Sequence, residues 1–144
     1  TDVNEAERYV NETGIDSLAI SCGIVHGVMT NLAPEPLALE VVQNIRRVVS
    51  IPLVMHGASG VPDSEIKAVI EAGVSKINAD TDLRFAFRKG LEEVWAQGDA
   101  QLETAMRKGR EYMTEATIEK MKLFGSVGKY PVSDLFSIDP SRKW

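Results

Sequence analysis

The hydrophobic residues of this chain follow two patterns, a helical spacing and short continuous apolar runs, and the two alternate. Residues 2–12 have the helical spacing, with Asp2 and Glu5 placed as a capping box and Gly14 just beyond the end. Residues 17–22 form the first apolar run, which is typical of a strand buried on both faces. The same two patterns predict further helices at 36–48, 62–72, 82–97 and 99–124, and further strands at 51–56 and 74–79.

Buried strands that alternate with amphipathic helices predict a parallel sheet covered by helices, which is an α/β fold. Two architectures fit this order, a doubly wound open sheet and a (β/α)8 barrel. The doubly wound sheet favours a G-x-G-x-x-G loop, and the sequence contains none. A barrel needs about 250 residues, whereas this chain has 144. We therefore expect it to form part of a larger assembly of strands.

The charge and the single cysteine narrow the class of protein. The chain carries 16 basic and 21 acidic side chains, a formal net charge of −5, which disfavours a nucleic-acid partner. The sequence has neither a run of about 20 apolar residues nor a basic-then-apolar N-terminal signal, so we expect no membrane partner. Cys22 cannot form an internal disulfide, which favours a reducing, cytoplasmic compartment, and we expect it to be a small buried residue.

The two histidines are the main candidates for chemistry. His26 and His56 are each followed by glycine and lie thirty positions apart, about one βα unit. Each falls at or just beyond the carboxyl end of a predicted strand, so both would face the rim where α/β folds build active sites. A lone histidine is more often structural, but this paired placement favours ligands to zinc or a similar divalent ion. A third ligand would have to be a carboxylate or come from outside the chain.

Two further segments, 57–60 and 78–81, follow the second and third predicted strands and resemble anion cradles. Small residues expose backbone N–H groups there, and the helix that begins near Asp82 points its positive end at the same place. Ordinary turn and cap chemistry would use the same residue types, so that alternative stays open. The hydroxyl donors are those of Ser59 and Thr81. A carboxylate at Asp80 would orient a hydroxyl or bind a cation, and Arg84 could reach an anionic group from the side.

Three segments of the chain, 26–27, 51–60 and 76–84, resemble those of class II, metal-dependent fructose-1,6-bisphosphate aldolases. The likeness runs from the opening helix to the motif at 124–129. It implies that the chain is the C-terminal part of a (β/α)8 TIM barrel, with three parallel strands, flanking helices and two C-terminal helices. It also implies an aldolase-like part at 1–130 and leaves 131–144 as a C-terminal tail without a match.

The resemblance implies a site that this chain contains only in part. His26 and His56 would bind Zn²⁺, or a similar divalent cation, together with a third histidine on an earlier strand, and a monovalent cation could accompany it. The acid/base residues of the family would lie upstream of Thr1, so no catalytic residue is assigned here. The implied substrate-binding residues are Gly27, Gly57, Ser59, Asn78 and Thr81 at a phosphate, Asp80 at the dihydroxyacetone part and Arg84 at the distal phosphate.

The implied activity is the reversible cleavage of fructose 1,6-bisphosphate to dihydroxyacetone phosphate and glyceraldehyde 3-phosphate. Tagatose-bisphosphate aldolase and a non-catalytic, phosphate-ligand-binding barrel segment are the alternatives. The isolated chain is expected to be inactive, because it lacks a zinc ligand and the acid/base residues. Its expected partners are the sugar bisphosphate, the missing N-terminal half of the barrel and further copies of itself. The apolar stripe of 99–124 could dock on such a copy or pack on its own barrel.

Overall fold

The computed structural model describes residues 1–23, 36–98 and 101–129, and these residues form helices and parallel strands in alternation. The order agrees with the alternating hydrophobic patterns, and the two C-terminal helices follow the third strand. In chain order the elements are α1 (Val3–Thr13), β1 (Leu18–Ile20), α2 (Leu39–Val48), β2 (Leu53–Met55), α3 (Asp63–Glu71), β3 (Val74–Ile77), α4 (Thr81–Ala96) and α5 (Leu102–Leu123).

The three strands form one parallel sheet in the order β1-β2-β3. Leu53 of β2 is paired with Leu18 of β1 and with Val74 of β3, and a register shift follows directly after Leu53. Because the strands are parallel, their carboxyl ends lie at the same edge of the sheet, and the segments that follow β2 and β3 meet there. The predicted parallel sheet is confirmed, and it sets the position of the candidate site.

The core lies where the sheet packs against helices. Leu53 and Met55 of β2 are fully buried, and so are two apolar side chains in each of α2 and α3. Cys22 is 2% exposed, and burial raises the pKa of its thiol above the ordinary value. The prediction that Cys22 is a small buried residue is therefore confirmed. The largest fully buried side chains are Ile45, Leu53, Met55, Ile66, Val42, Val49, Val69 and Cys22.

Helix α1 begins as its sequence predicts, whereas α2 begins later than its sequence predicts. The Asp2 carboxylate accepts the backbone N–H of Glu5 at 3.0 Å, which is the expected cap. The predicted helix at 36–48 starts only at Leu39. The N–H of Leu37 is donated to the Glu65 carboxylate at 2.9 Å, and the N–H of the next residue goes to a carbonyl that follows β1. These bonds hold the segment before Leu39 in a non-helical conformation.

Helices α4 and α5 pack against each other at a glycine contact. A Cβ atom added to Gly90 would lie 2.6 Å from the carbonyl oxygen of Lys108 and 2.7 Å from Cα of Gly109. The absence of both side chains lets the two backbones approach closely. Near this crossing, the hydroxyl of Tyr112 donates a hydrogen bond to the carboxylate of Glu93, which also lies 3.5 Å from Nζ of Lys108.

The outer surface of α5 carries exposed apolar residues. Leu102 is 65% exposed, and Ile118 and Met121 are each 44% exposed. The expected homo-oligomer stays a prediction. Across the described ranges, no helix has both the length and the apolar character that a membrane-spanning segment requires.

Candidate functional site

The carboxyl ends of β2 and β3 bring His56 and Asn78 together. His56 directly follows β2, and Asn78 directly follows β3. The backbone N–H of Asn78 donates to the carbonyl of Met55 at 3.0 Å, which extends the sheet ladder by one bond. The Asn78 side-chain nitrogen Nδ2 then lies 3.1 Å from Nδ1 of His56. Two residues predicted from the sequence as a metal ligand and a phosphate ligand are therefore in direct contact.

Lys76 completes this arrangement, and the sequence reasoning gave it no role. Its Nζ donates to Oδ1 of Asn78 at 2.9 Å. Alternate residues of a strand share a face, so Lys76 and Asn78, two positions apart, point the same way. That period of two was the signal that could have identified Lys76 as a neighbour of the site.

The segment that follows β2 is connected to the start of α4 through Ser59. The Ser59 hydroxyl accepts the backbone N–H of Asp82 at 3.2 Å, so it caps a helix that begins more than twenty residues later. Gly57 and Gly60 adopt φ values of +75° and +84°, which side chains disfavour. Ala58 between them is 1% exposed and places its methyl group in the core. The two predicted cradles, 57–60 and 78–81, are therefore adjacent.

Asp80 and Arg84 form an ion pair at the start of α4. Oδ2 of Asp80 lies 2.5 Å from Nη2 of Arg84, and the two side chains are 69% and 70% exposed. Asp80 makes no side-chain cap bond to its own helix, because its carboxylate faces the guanidinium instead. Thr81 is the first residue of α4 and is partly buried. The pair places one negative and one positive group at the edge of the predicted phosphate site.

A second ion pair connects the first turn of α4 to α5. Nζ of Lys120, in α5, lies 2.5 Å from Oδ2 of Asp82, and both side chains are less than one third exposed. The sequence reasoning identified Asp82 only as a helix start and did not single out Lys120. No local pattern relates residues 38 positions apart, so the sequence carried no signal for this pair.

The other predicted metal ligand, His26, and its neighbour Gly27 lie outside the described residues. The expected convergence of two imidazoles therefore stays a prediction. Among residues 1–23, 36–98 and 101–129, no group of three or more histidine, cysteine, aspartate or glutamate side chains is placed to hold a metal ion. His56 is exposed at the sheet edge, and its role as a metal ligand also stays a prediction.

A comparison of the sequence with models of known protein families finds a match over most of the chain. The sequence model of the family "Fructose-bisphosphate aldolase class-II" matches residues 1–129. The Escherichia coli K12 protein YdjI, described as uncharacterized, is 45% identical over 130 residues, which are 90% of this chain and 45% of YdjI. This chain spans about half the length of that relative.

Solved structures show the same likeness in three dimensions. The crystal structure of the YdjI aldolase from Escherichia coli K12 superimposes with a TM-score of 0.77 at 40% identity, over 91% of this chain and 47% of the other. The crystal structure of a putative fructose-1,6-biphosphate aldolase from Coccidioides immitis superimposes with a TM-score of 0.80 at 29% identity, over 90% of this chain and 44% of the other. The crystal structure of fructose-bisphosphate aldolase from Campylobacter jejuni superimposes with a TM-score of 0.77 at 25% identity, over 90% of this chain and 47% of the other.

The fold follows from these superpositions. The neighbours are TIM-barrel aldolases, and the described chain corresponds to the C-terminal half of their chains. Strands β1 to β3 are therefore barrel strands, and the edge that carries His56 and Asn78 is the carboxyl rim on which TIM barrels build their active sites.

Proposed function

Because the chain belongs to the class-II fructose-bisphosphate aldolase family, we propose that it contributes the C-terminal half of a zinc-dependent aldolase site. The reaction proposed is the reversible cleavage of fructose 1,6-bisphosphate to dihydroxyacetone phosphate and glyceraldehyde 3-phosphate. The observation that supports it most directly is the contact between His56 and Asn78 at 3.1 Å, at the carboxyl ends of neighbouring parallel strands.

The donor chemistry of His56 suits a divalent cation. An imidazole nitrogen is a preferred zinc ligand, and an exposed position on a barrel rim leaves room for further ligands. In this proposal His26 supplies a second imidazole, and a third ligand comes from outside these residues. When bound, the ion supplies Lewis-acid stabilisation of the negative charge that develops during aldol cleavage.

The groups around Ser59 suit a phosphate. The Ser59 oxygen accepts from the N–H of Asp82, so its own proton remains available to donate to an anion. Asn78 and Thr81 add polar groups at the same helix start, and the positive end of the α4 dipole favours negative charge there. In the proposed site, Gly27 and Gly57 allow the phosphate to approach the backbone closely.

Asp80 and Arg84 extend the proposed site toward the rest of the sugar. The proposal gives Asp80 the task of orienting a hydroxyl of the dihydroxyacetone part, and Arg84 the task of binding the distal phosphate. A guanidinium presents several donors in a planar fork, which suits phosphate. The exposed pair with Asp80 keeps the guanidinium at the helix start, and such a pair holds its partners only weakly.

The acid/base groups and the third metal ligand are proposed to come from a partner segment equivalent to the N-terminal half of the relatives. We therefore expect no retro-aldol turnover from the 144-residue chain alone. The test is a chimaera that joins the N-terminal part of YdjI, up to the region matched by this chain, to residues 1–144. Zinc content and cleavage of fructose 1,6-bisphosphate and tagatose 1,6-bisphosphate are measured for the chimaera and for its H26A and H56A variants.

The proposal expects the chimaera to hold zinc and cleave a ketose bisphosphate, and each histidine variant to lose both properties. The matched control is Gln43→Ala, a change at an exposed residue of α2. Zinc content that is unchanged in H26A and H56A would favour a phosphate-binding segment that uses no metal. Faster cleavage of tagatose 1,6-bisphosphate than of fructose 1,6-bisphosphate would support the aldolase site and assign it the tagatose isomer as substrate.

A further inference from the structure

We propose that Lys76 is a positioning residue that fixes the tautomer of His56 through the side chain of Asn78. Three polar groups stand in a row at the carboxyl ends of β2 and β3. Nζ of Lys76 lies 2.9 Å from Oδ1 of Asn78, and Nδ2 of Asn78 lies 3.1 Å from Nδ1 of His56. The hydrogen-bond donors of Lys76 therefore set the orientation of the Asn78 amide, and that orientation sets the tautomer of His56.

The amide of Asn78 has a defined orientation because the ammonium group of Lys76 can only donate hydrogen bonds. An ammonium group carries three donors and no acceptor, so it can pair with the amide oxygen and not with the amide nitrogen. Rotating the amide by half a turn would place two donors against each other at Lys76. The oxygen therefore faces Lys76 and the nitrogen faces His56.

The orientation of the amide then determines which ring nitrogen of His56 carries the proton. The Asn78 nitrogen is only a donor, so Nδ1 of His56 must accept, and an accepting nitrogen has no proton. The neutral imidazole is consequently protonated at Nε2. The nitrogen that keeps its lone pair, directed at the Asn78 amide, is Nδ1.

This tautomer has a consequence for a divalent ion, and that consequence alone rests on the proposed function. An ion that binds Nδ1 needs only to displace the NH₂ group of Asn78. An ion that binds Nε2 needs the proton to move to Nδ1, the amide to turn and Lys76 to give up its bond to Oδ1. Lys76 therefore biases His56 toward binding through Nδ1.

The test measures the tautomer in the metal-free chain by ¹⁵N–¹H correlation spectra of the imidazole rings. The chain has two histidines, so spectra of the H26N and H56N variants assign the signals. Spectra of all variants are recorded at the same mildly alkaline pH. We expect the Nε2–H form of His56 to dominate in the wild-type chain.

Lys76→Met removes the donor that holds the amide, and we expect the ratio of the Nε2–H form to the Nδ1–H form to fall about three- to tenfold, the range for one hydrogen bond. Lys76→Arg keeps a donor-only group and should keep the ratio. Asn78→Asp offers only acceptors to His56 and should reverse the tautomer. Lys67→Met, at an exposed lysine of α3, is the matched control. Backbone amide spectra verify that each variant is folded.

An unchanged ratio in Lys76→Met, or a dominant Nδ1–H form in the wild-type chain, would overturn the assignment of Lys76. Zn²⁺ alone is then added to the YdjI chimaera, which supplies the ligand that this chain lacks, and a larger shift at Nδ1 of His56 than at Nε2 is expected. A larger shift at Nε2 would contradict the proposed bias. If Zn²⁺ changes neither signal, the proposed metal site fails, while the tautomer result still decides the role of Lys76.

Discussion

Lys120 and Asp82 form a partly buried ion pair that ties the last long helix to the start of the helix that carries the candidate site. Their charged atoms are 2.5 Å apart, and the side chains are 23% and 29% exposed. The backbone N–H of the same aspartate is bonded to Ser59. Asp82 is thus held by two different parts of the chain, which fixes the first turn of α4 relative to the segment after β2.

Lys120→Met should lower the free energy of unfolding by about 1 kcal/mol, because it leaves a partly buried carboxylate without its partner. Urea denaturation measures the change. The control is Lys122→Met, also in α5, where the pair with Glu119 is 60% and 70% exposed. That change should cost less than about 0.5 kcal/mol. Equal losses in the two variants would contradict the structural role given to Lys120.

Ser59→Ala should destabilise the chain by about 1 kcal/mol, the usual cost of losing a helix cap. The N–H of Asp82 loses its acceptor, since alanine has no hydroxyl. Ser64→Ala, at an exposed serine of α3, should change stability by no more than about 0.5 kcal/mol. Urea midpoints of both variants give the comparison. A loss in Ser64→Ala as large as that in Ser59→Ala would argue against a capping role.

Gly90→Ala should destabilise the chain by about 1–3 kcal/mol, although alanine is the better helix former. The added Cβ would meet backbone atoms of Lys108 and Gly109 at 2.6–2.8 Å, and a backbone cannot move aside as a side chain can. At Gly109 the added atom would instead meet side-chain atoms of Leu91 and Phe87 at 2.6–3.0 Å. Gly109→Ala should therefore cost less, and thermal unfolding of the two variants tests this order.

Local patterns predicted the elements well because local forces set them. The Asp2 cap lies within one helical turn, and apolar residues at strand or helix spacing show which side of each element is buried. The start of α2 was predicted three residues too early, because the bond from Leu37 to Glu65 joins segments that are 28 residues apart. The role of Lys120 depends on the same kind of tertiary contact, because its partner Asp82 lies 38 residues away and spacing along the chain does not encode such a pair.

The contact between Tyr112 and Glu93 should make stability depend on pH at both ends of the scale. The hydrogen bond from the Tyr112 hydroxyl, helped by Lys108, lowers the pKa of Glu93 below its ordinary value. The bond to Glu93 raises the pKa of Tyr112 above its ordinary value. The contribution of Glu93 is present above its ordinary pKa and is lost as the pH falls through its lowered pKa. That of Tyr112 is present below its ordinary pKa and is lost as the pH rises through its raised pKa.

Tyr112→Phe removes the hydroxyl and keeps the ring, so the difference in urea midpoint between wild type and variant should be largest near neutral pH. The difference should shrink toward strongly acidic and strongly alkaline pH. Tyr9→Phe, at a tyrosine that is 53% exposed on α1, is the control and should give a difference that does not vary with pH. A pH-independent difference for Tyr112→Phe would show that the hydroxyl and the carboxylate are not coupled.

Arg84→Ala should weaken binding of a ketose bisphosphate to the YdjI chimaera by about tenfold or more, the cost of losing a charged hydrogen bond to phosphate. Arg88→Ala is the matched control, because Arg88 lies one turn further along α4 and forms a similarly exposed pair with Glu92 at 2.6 Å. Both arginine pairs are exposed, so neither change should alter the urea midpoint much. Dihydroxyacetone phosphate has no distal phosphate, so its binding should be unaffected by either variant. Equal KM values for the bisphosphate in the two variants would place the distal phosphate away from Arg84.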